Sequence, residues 1–142
     1  MNHDHYSDAL LRQVLTSVKS IAVVGASPKE SRPSHGVTRF LVSKGFKVFA
    51  VNPGHAGTVI GGAMTYATLS ELPQAVDMVD VFRAPEHLSD VIESAMNLPT
   101  PPKVIWSQLG VRDDHAAKFA EQAGITVIQD RCPAIEMPRL GL

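Results

Sequence analysis

The sequence predicts an α/β protein of the Rossmann type, because five short apolar segments alternate with amphipathic helical patterns. The five segments are rich in β-branched residues and end at turn signals, and they span residues 21–24, 48–51, 78–82, 104–106 and 125–128. Short runs that are apolar on both faces suit buried parallel strands. Strands that alternate with helices favour a parallel sheet with right-handed crossovers. We therefore expect a doubly wound parallel sheet of about five strands in the order 3-2-1-4-5.

Helical periodicity fills the gaps between these segments. Apolar residues recur at spacings of three and four over residues 6–18, 37–44, 88–96 and 113–123. Gly45 and Gly124 stand where C-terminal caps belong, and Ser34 is expected to cap the second helix. A further short helix is expected after Pro133. Residues 54–66 form the longest irregular stretch, in which residues 58–60 are expected to form at most a short strand.

Length, charge and cysteine content limit the possible functions. The 142 residues fit a single domain over residues 1–142, with residues 1–5 expected to be disordered. The net charge of −1 gives no indication of a nucleic-acid or membrane partner. The N-terminus lacks the features of a signal peptide, and Cys132 is the only cysteine, so we expect a cytoplasmic protein. The six histidines show no metal-ligand spacing, and only His35 falls near a predicted functional turn.

The turn after the first strand has the features of a phosphate-binding loop. Gly25 allows a sharp turn, and Ala26 and Ser27 are small enough for their N–H groups to approach a phosphate. The positive end of the following helix points to the same place, and Lys29 and Arg32 add charge. These features favour nucleotide binding, and the alternative is a plain surface loop.

The sequence departs from the pattern of NAD-binding proteins. The G-x-G-x-x-G spacing is absent, and no Asp or Glu occurs between Lys47 and Leu69. NAD-binding proteins place an acid at the end of the second strand, where it binds the ribose hydroxyls. Asn52 and Pro53 occupy that position here. Asn52 either bonds to a ligand or only shapes the turn, and NAD is disfavoured.

Six short motifs occur in order along the chain: VVGAS at 23–27, RPS at 32–34, VNP at 51–53, VDVFR at 79–83, WSQLG at 106–110 and DRC at 130–132. With these motifs the sequence resembles the small stand-alone CoA-binding domain proteins of the YccU type, over roughly residues 21–140. That family is similar to the CoA-binding domain of the succinyl-CoA synthetase alpha subunit. The resemblance includes no counterpart of the synthetase's phosphohistidine domain, so it does not imply ligase activity.

The resemblance implies that the Gly25 turn lines the phosphates of coenzyme A and that Asn52 and Pro53 form a second wall. The expected CoA-binding residues are Gly25, Ala26, Ser27, Lys29, Arg32, Asn52, Pro53, Phe82, Arg83, Trp106, Gln108, Gly110 and Cys132. For Phe82 and Trp106 the alternative is core packing, and for Arg83 it is a solvated side chain or an ion pair with Glu86. For Cys132 the alternative is an inert buried thiol.

The leading functional hypothesis is a binding module that holds CoA or acyl-CoA and performs no chemistry on its own. No catalytic constellation is recognisable from spacing, and no protein partner is indicated. The tail also departs from the family pattern, since Ala134, Glu136 and Met137 stand where relatives often have a basic residue and a Glu-His pair. The alternatives are an NAD(P)-linked oxidoreductase and a redox protein in which Cys132 forms a mixed disulfide with CoA.

Overall fold

The computed structural model describes residues 1–142 and contains a seven-stranded sheet with helices on both faces. The strands are β1 (Ser20–Val24), β2 (Lys47–Val51), β3 (Val59–Ile60), β4 (Ala63–Tyr66), β5 (Met78–Val81), β6 (Val104–Ser107) and β7 (Thr126–Ile128). The helices are α1 (Asp8–Ser17), α2 (Pro33–Ser43), α3 (Leu88–Met96), α4 (Asp114–Gln122) and α5 (Pro133–Arg139). None of these helices has both the length and the apolar character needed to cross a bilayer.

The strand order is β3-β4-β2-β1-β5-β6-β7, and every pair is parallel except β3 with β4. The α/β class and the mostly parallel sheet are confirmed, but the expected strand count and order are wrong. The strand predicted third, β5, pairs with β1 instead of lying outside β2. The place outside β2 is taken by β4, which lies in the stretch expected to be irregular. When β4 is counted, the six parallel strands follow the doubly wound order 3-2-1-4-5-6.

The core has two layers, one on each face of the sheet. One layer packs α1, α2 and α5 against the sheet, and the other packs α3 and α4 against the opposite face. Successive residues of β1 alternate between these layers, with Val23 in the first and Val24 in the second. A strand that is buried on both faces reads as a continuous apolar run, which is why β1 and its parallel neighbours were detectable in the sequence.

The helix ends follow the sequence signals with one exception. Gly45 and Gly124 adopt φ of 92° and 85° just past α2 and α4, as expected of C-terminal caps. Asp113 caps α4 by accepting a hydrogen bond from the N–H of Ala116. The expected capping role of Ser34 is wrong, because α2 begins at Pro33 and Ser34 lies inside its first turn.

The N-terminal segment packs on the domain, which differs from the expected disorder over residues 1–5. His3 is only 5% exposed. Its Nδ1 lies 2.6 Å from the Tyr6 hydroxyl and its Nε2 lies 2.6 Å from a carboxylate oxygen of Glu121. Asp4 accepts a hydrogen bond of 2.8 Å from Arg112. These contacts attach residues 3–6 to α4 and to the segment before it.

Candidate functional site

A cleft of about 660 Å³ opens where β1, β5, β6 and β7 end, on the side of the sheet that carries α2. We call it the main cleft, and its volume falls in the range of about 300–1,000 Å³ that is usual for small-molecule sites. Ten of the expected residues line it: Gly25, Ala26, Ser27, Lys29, Arg32, Asn52, Phe82, Arg83, Gln108 and Cys132. The strand order reverses between β1 and β5, which is where doubly wound sheets bind ligands.

A second cavity of about 410 Å³, the side pocket, opens at the same edge of the sheet, next to α3. It shares Gly25, Asn52 and Arg83 with the main cleft. Its other lining residues are Val24, Val51, Pro53, Ala67, Thr68, Leu69, His87, Asp90, Val91 and Ser94. The shared residues make the two cavities adjacent compartments of one ligand-accessible edge.

The turn after β1 presents unpaired backbone donors to the main cleft. The N–H of Gly25 donates to the carbonyl of Val51 at 3.0 Å. The N–H groups of Ala26 and Ser27 have no acceptor within the protein, although Ala26 is fully buried. Buried backbone donors are nearly always paired, and free N–H groups close to a helix N-terminus form an anion-binding site. This turn can therefore accept a phosphate.

Gly25 is required by the fold as well as by the turn. Its φ is 85°, in the region that favours glycine. A Cβ at this position would lie 2.6 Å from the carbonyl oxygen of Phe82, which belongs to the neighbouring strand end. The close approach of the β1 and β5 ends thus excludes any side chain at position 25.

Asn52 holds the β1 and β2 turns together. Its Nδ2 donates to the carbonyl of Ala26 at 2.8 Å, and its Oδ1 accepts from the N–H of Gly54 at 2.9 Å. Its backbone N–H donates to the carbonyl of Tyr66 at 3.0 Å. The side chain therefore shapes its own turn and also fixes the carbonyl next to the free N–H of Ser27.

Three basic side chains at the main cleft lack an acidic partner. Lys29, Arg32 and Arg83 are exposed and form no ion pair within 4.0 Å. In contrast, Arg112 binds Asp4 and Asp114, and Arg139 binds Asp8 and Glu136. Uncompensated cations around free backbone donors suit a ligand with several negative charges.

The cleft ends beyond β6 and β7, where Gln108 and Cys132 lie. The N–H of Arg131 donates to the carbonyl of Ser107 at 3.3 Å, which brings the two chain segments side by side. Gln108 and Cys132 are each 6% exposed. The guanidinium of Arg131 lies 4.9 Å from the ring centre of Tyr6 and donates to the carbonyl of Asp130 at 2.8 Å. These contacts hold the guanidinium of Arg131 outside the main cleft.

Comparison with known proteins assigns the chain to a family. Residues 19–138 match the family model described as the CoA binding domain. The chain belongs to the CoA-binding domain family. The matched range contains every residue that lines the main cleft and the side pocket. The expected resemblance to stand-alone CoA-binding domain proteins is thereby confirmed.

Members of known sequence or structure match nearly the whole chain. The uncharacterized protein YneT of Bacillus subtilis is 33% identical over 126 residues, which cover 89% of this chain and 90% of YneT. A Thermus thermophilus structure is 39% identical with a TM-score of 0.87, and covers 95% of this chain and 99% of its own. A Pyrococcus horikoshii structure is 32% identical with a TM-score of 0.89, and the match covers 100% of this chain and 97% of the Pyrococcus chain. The fold of these relatives therefore extends over the whole of this chain.

Three expected CoA-binding residues do not line the main cleft. Trp106 is fully buried in the core, where its indole N–H donates to the carbonyl of Arg131 at 2.9 Å, so its ligand role is wrong and the core alternative is right. Gly110 lies outside the cleft lining, and its N–H donates to Asp130 at 2.7 Å. Pro53 lines the side pocket instead. Trp106 lies on the same face of the sheet as the cleft, but it is packed beneath the cleft in the core layer of α1, α2 and α5.

Sequence reasoning missed several lining residues. His55 lines the main cleft, whereas His35, the histidine singled out from the sequence, is buried on α2 and does not. The position of His55 four residues beyond the end of β2 was the available signal. In the side pocket, Thr68 follows β4, which was not predicted, and Asp90 lies in the first turn of the predicted helix α3, where nothing in the sequence distinguishes it from a solvated residue.

Asp80, in the VDVFR motif, is a buried carboxyl group whose environment the sequence did not predict. It lies on β5 in register with Val23 of β1 and Trp106 of β6 and is fully buried. Neither carboxylate oxygen has a hydrogen-bond partner. Burial raises the pKa of Asp80 well above its usual value of 3.8, because the charged form loses its hydration. Asp80 lines neither the main cleft nor the side pocket.

Proposed function

We propose that the protein binds coenzyme A or an acyl-CoA in the main cleft. The observation that carries the proposal is the pair of unpaired N–H groups of Ala26 and Ser27, surrounded by Lys29, Arg32 and Arg83 without acidic partners. Coenzyme A carries a pyrophosphate and a 3′-phosphate, so it supplies the negative charge that this arrangement lacks. Membership of the CoA-binding domain family supports the same ligand.

The remaining cleft residues suit the other parts of coenzyme A. The partly buried ring of Phe82 offers an apolar surface to the adenine or to the pantetheine arm. Leu109 and Val111 provide further apolar lining, and Gln108 offers an amide for hydrogen bonding. Mostly apolar walls with a few fixed polar groups are typical of small-molecule sites.

We propose further that the chain catalyses no reaction on its own and acts in the cytoplasm. The titratable side chains that line the main cleft are Lys29, Arg32, His55, Arg83 and Cys132. None of these side chains is hydrogen-bonded to another, whereas catalytic acids, bases and nucleophiles usually act as hydrogen-bonded sets. The free thiol of Cys132 suits a reducing compartment, and the net charge of −1 favours neither nucleic acid nor membrane as a partner.

Thermal unfolding and calorimetry with CoA and NADH at equal concentrations test this function. A ligand that binds only the native state stabilises it by about 2.7 kcal/mol at a hundred times its Kd, and this shifts the Tm by several degrees. We expect CoA to give such a shift and NADH a smaller one. A larger effect of NADH would favour an NAD(P)-linked oxidoreductase. The absence of any CoA effect at millimolar ligand would overturn the proposal.

A further inference from the structure

The carboxamide of Gln108 is the one polar group of the main cleft whose buried oxygen is left without a partner. Its Oε1 is inaccessible and accepts no hydrogen bond, although the residue lines the cleft. A buried acceptor without a donor costs about 1–3 kcal/mol, so a ligand that brings a donor to this oxygen gains binding free energy. An amide N–H on the ligand would satisfy it, and the pantetheine arm of coenzyme A carries two.

Gln108 lies where the pantetheine arm would pass if the phosphates of coenzyme A are bound at the turn after β1. The turn at Gly25 follows β1, whereas Gln108 follows β6, two strands away across β5. Cys132 follows β7, one strand further, so it lies about 14 Å across the sheet edge from the turn, since adjacent strands are about 4.8 Å apart. A ligand with its pyrophosphate at Ala26 and Ser27 and its amides at Gln108 therefore directs its sulfur end toward Cys132.

Cys132 lies in the wall of the main cleft and otherwise packs in the core. The thiol is free, the residue is 6% exposed, and it lines the main cleft together with Gln108 and Leu109. A disulfide reagent that fits the cleft is therefore held next to the thiol and gains an advantage over one that does not.

We infer that Cys132 forms a mixed disulfide with coenzyme A in the main cleft, with Gln108 as the residue that positions the pantetheine arm. This inference rests on the CoA-binding function proposed above. The oxidant is the symmetrical disulfide of coenzyme A. Cys132 first loses its proton to solvent, and its thiolate then attacks one sulfur of the disulfide. The S–S bond of the reagent breaks, a new bond forms between Sγ and the CoA sulfur, and the second CoA leaves as a thiolate that takes up a proton from water.

Intact-mass spectrometry of the reduced protein, treated in parallel with CoA disulfide and glutathione disulfide, tests the inference. We expect one CoA adduct per chain, absent in Cys132→Ser. CoA disulfide should react at least about tenfold faster than glutathione disulfide, the factor that corresponds to 1.4 kcal/mol of binding. The preference should vanish in denaturant, where no cleft exists, and reduced CoA should slow the native reaction.

Two glutamine-to-leucine variants test whether Gln108 positions the pantetheine arm or whether the thiol of Cys132 is merely accessible to the reagent. Gln108→Leu should lower the preference for CoA disulfide, while Gln13→Leu, at an exposed position on α1, should leave it unchanged. Equal native rates with both disulfides, or no adduct in native protein whose unfolded form reacts, would overturn the inference. Calorimetry with reduced CoA is run on the same protein. Binding without the predicted adduct refutes the thiol exchange alone, whereas no binding refutes the proposed function itself.

Discussion

At the scale of single residues, Gly25 combines a structural and a functional requirement. Its φ of 85° costs other residues about 1–2 kcal/mol, and the contact of a Cβ with the Phe82 carbonyl at 2.6 Å adds to that cost. We therefore expect Gly25→Ala to destabilise the domain by at least about 2 kcal/mol in urea unfolding, and to weaken CoA binding in whatever fraction stays folded.

Gly36→Ala is the matched control for this prediction. Gly36 is exposed on α2, and a Cβ there meets no atom within 4 Å. Alanine in a helix is more stable than glycine by about 0.5–1 kcal/mol, so this variant should be slightly more stable than the wild type. Equal stability of the two variants would show that the close approach of the β1 and β5 ends is not as described.

At the scale of elements, the segment from β1 to α2 carries the charge that a phosphate ligand requires. If Lys29 or Arg32 binds the 3′-phosphate, replacement by alanine should weaken CoA binding more than dephospho-CoA binding. A charge-assisted hydrogen bond is worth about 1.5–3 kcal/mol, so we expect a loss of tenfold or more in calorimetry. Lys118→Ala, at an exposed position on α4, is the control. Equal losses for both ligands would place these side chains at the pyrophosphate instead.

Asn52 connects two elements, since its amide bonds to Ala26 beyond β1 and to Gly54 beyond β2. Asn52→Ala removes both hydrogen bonds, each worth about 0.5–1.5 kcal/mol. We expect a stability loss of about 1–3 kcal/mol in urea unfolding and weaker CoA binding, because the phosphate-binding turn loses its attachment to β2. Asn97→Ala, an exposed asparagine without a side-chain hydrogen bond, should change neither quantity. A folded Asn52→Ala protein with unchanged affinity would contradict this role.

At the scale of the whole molecule, the buried Asp80 makes the free energy of unfolding depend on pH. Its pKa in the folded state is raised, so above pH 3.8 the unfolded chain releases this proton while the folded protein retains it. The contribution of Asp80 to stability therefore falls as pH rises from about 4 to the folded-state pKa, by at most about 1.4 kcal/mol per pH unit. Asp80→Asn removes this slope, and its advantage over the wild type in urea unfolding should grow with pH.

Glu93→Gln, which neutralises an exposed carboxylate on α3, controls for the change in net charge in that experiment. A constant stability difference between Asp80→Asn and the wild type from pH 4 to pH 8 would show that Asp80 is ionised in the folded protein, against its burial without a partner.

The sequence by itself determined the five predicted strands, the helix stops at Gly45 and Gly124, and the sharp glycine turn after β1. These features are local, because a run of apolar residues or a glycine at a turn has its effect within a few residues. Only the tertiary structure decided that β4 lies outside β2, that Trp106 faces the core and that Asn52 binds Ala26. Each of these depends on which segments become neighbours, and strand pairing between distant segments leaves no periodicity in the chain. The short β4 shows this most clearly. Its residues alternate between buried and exposed, and β3 lies between it and its parallel partner β2 in the sequence.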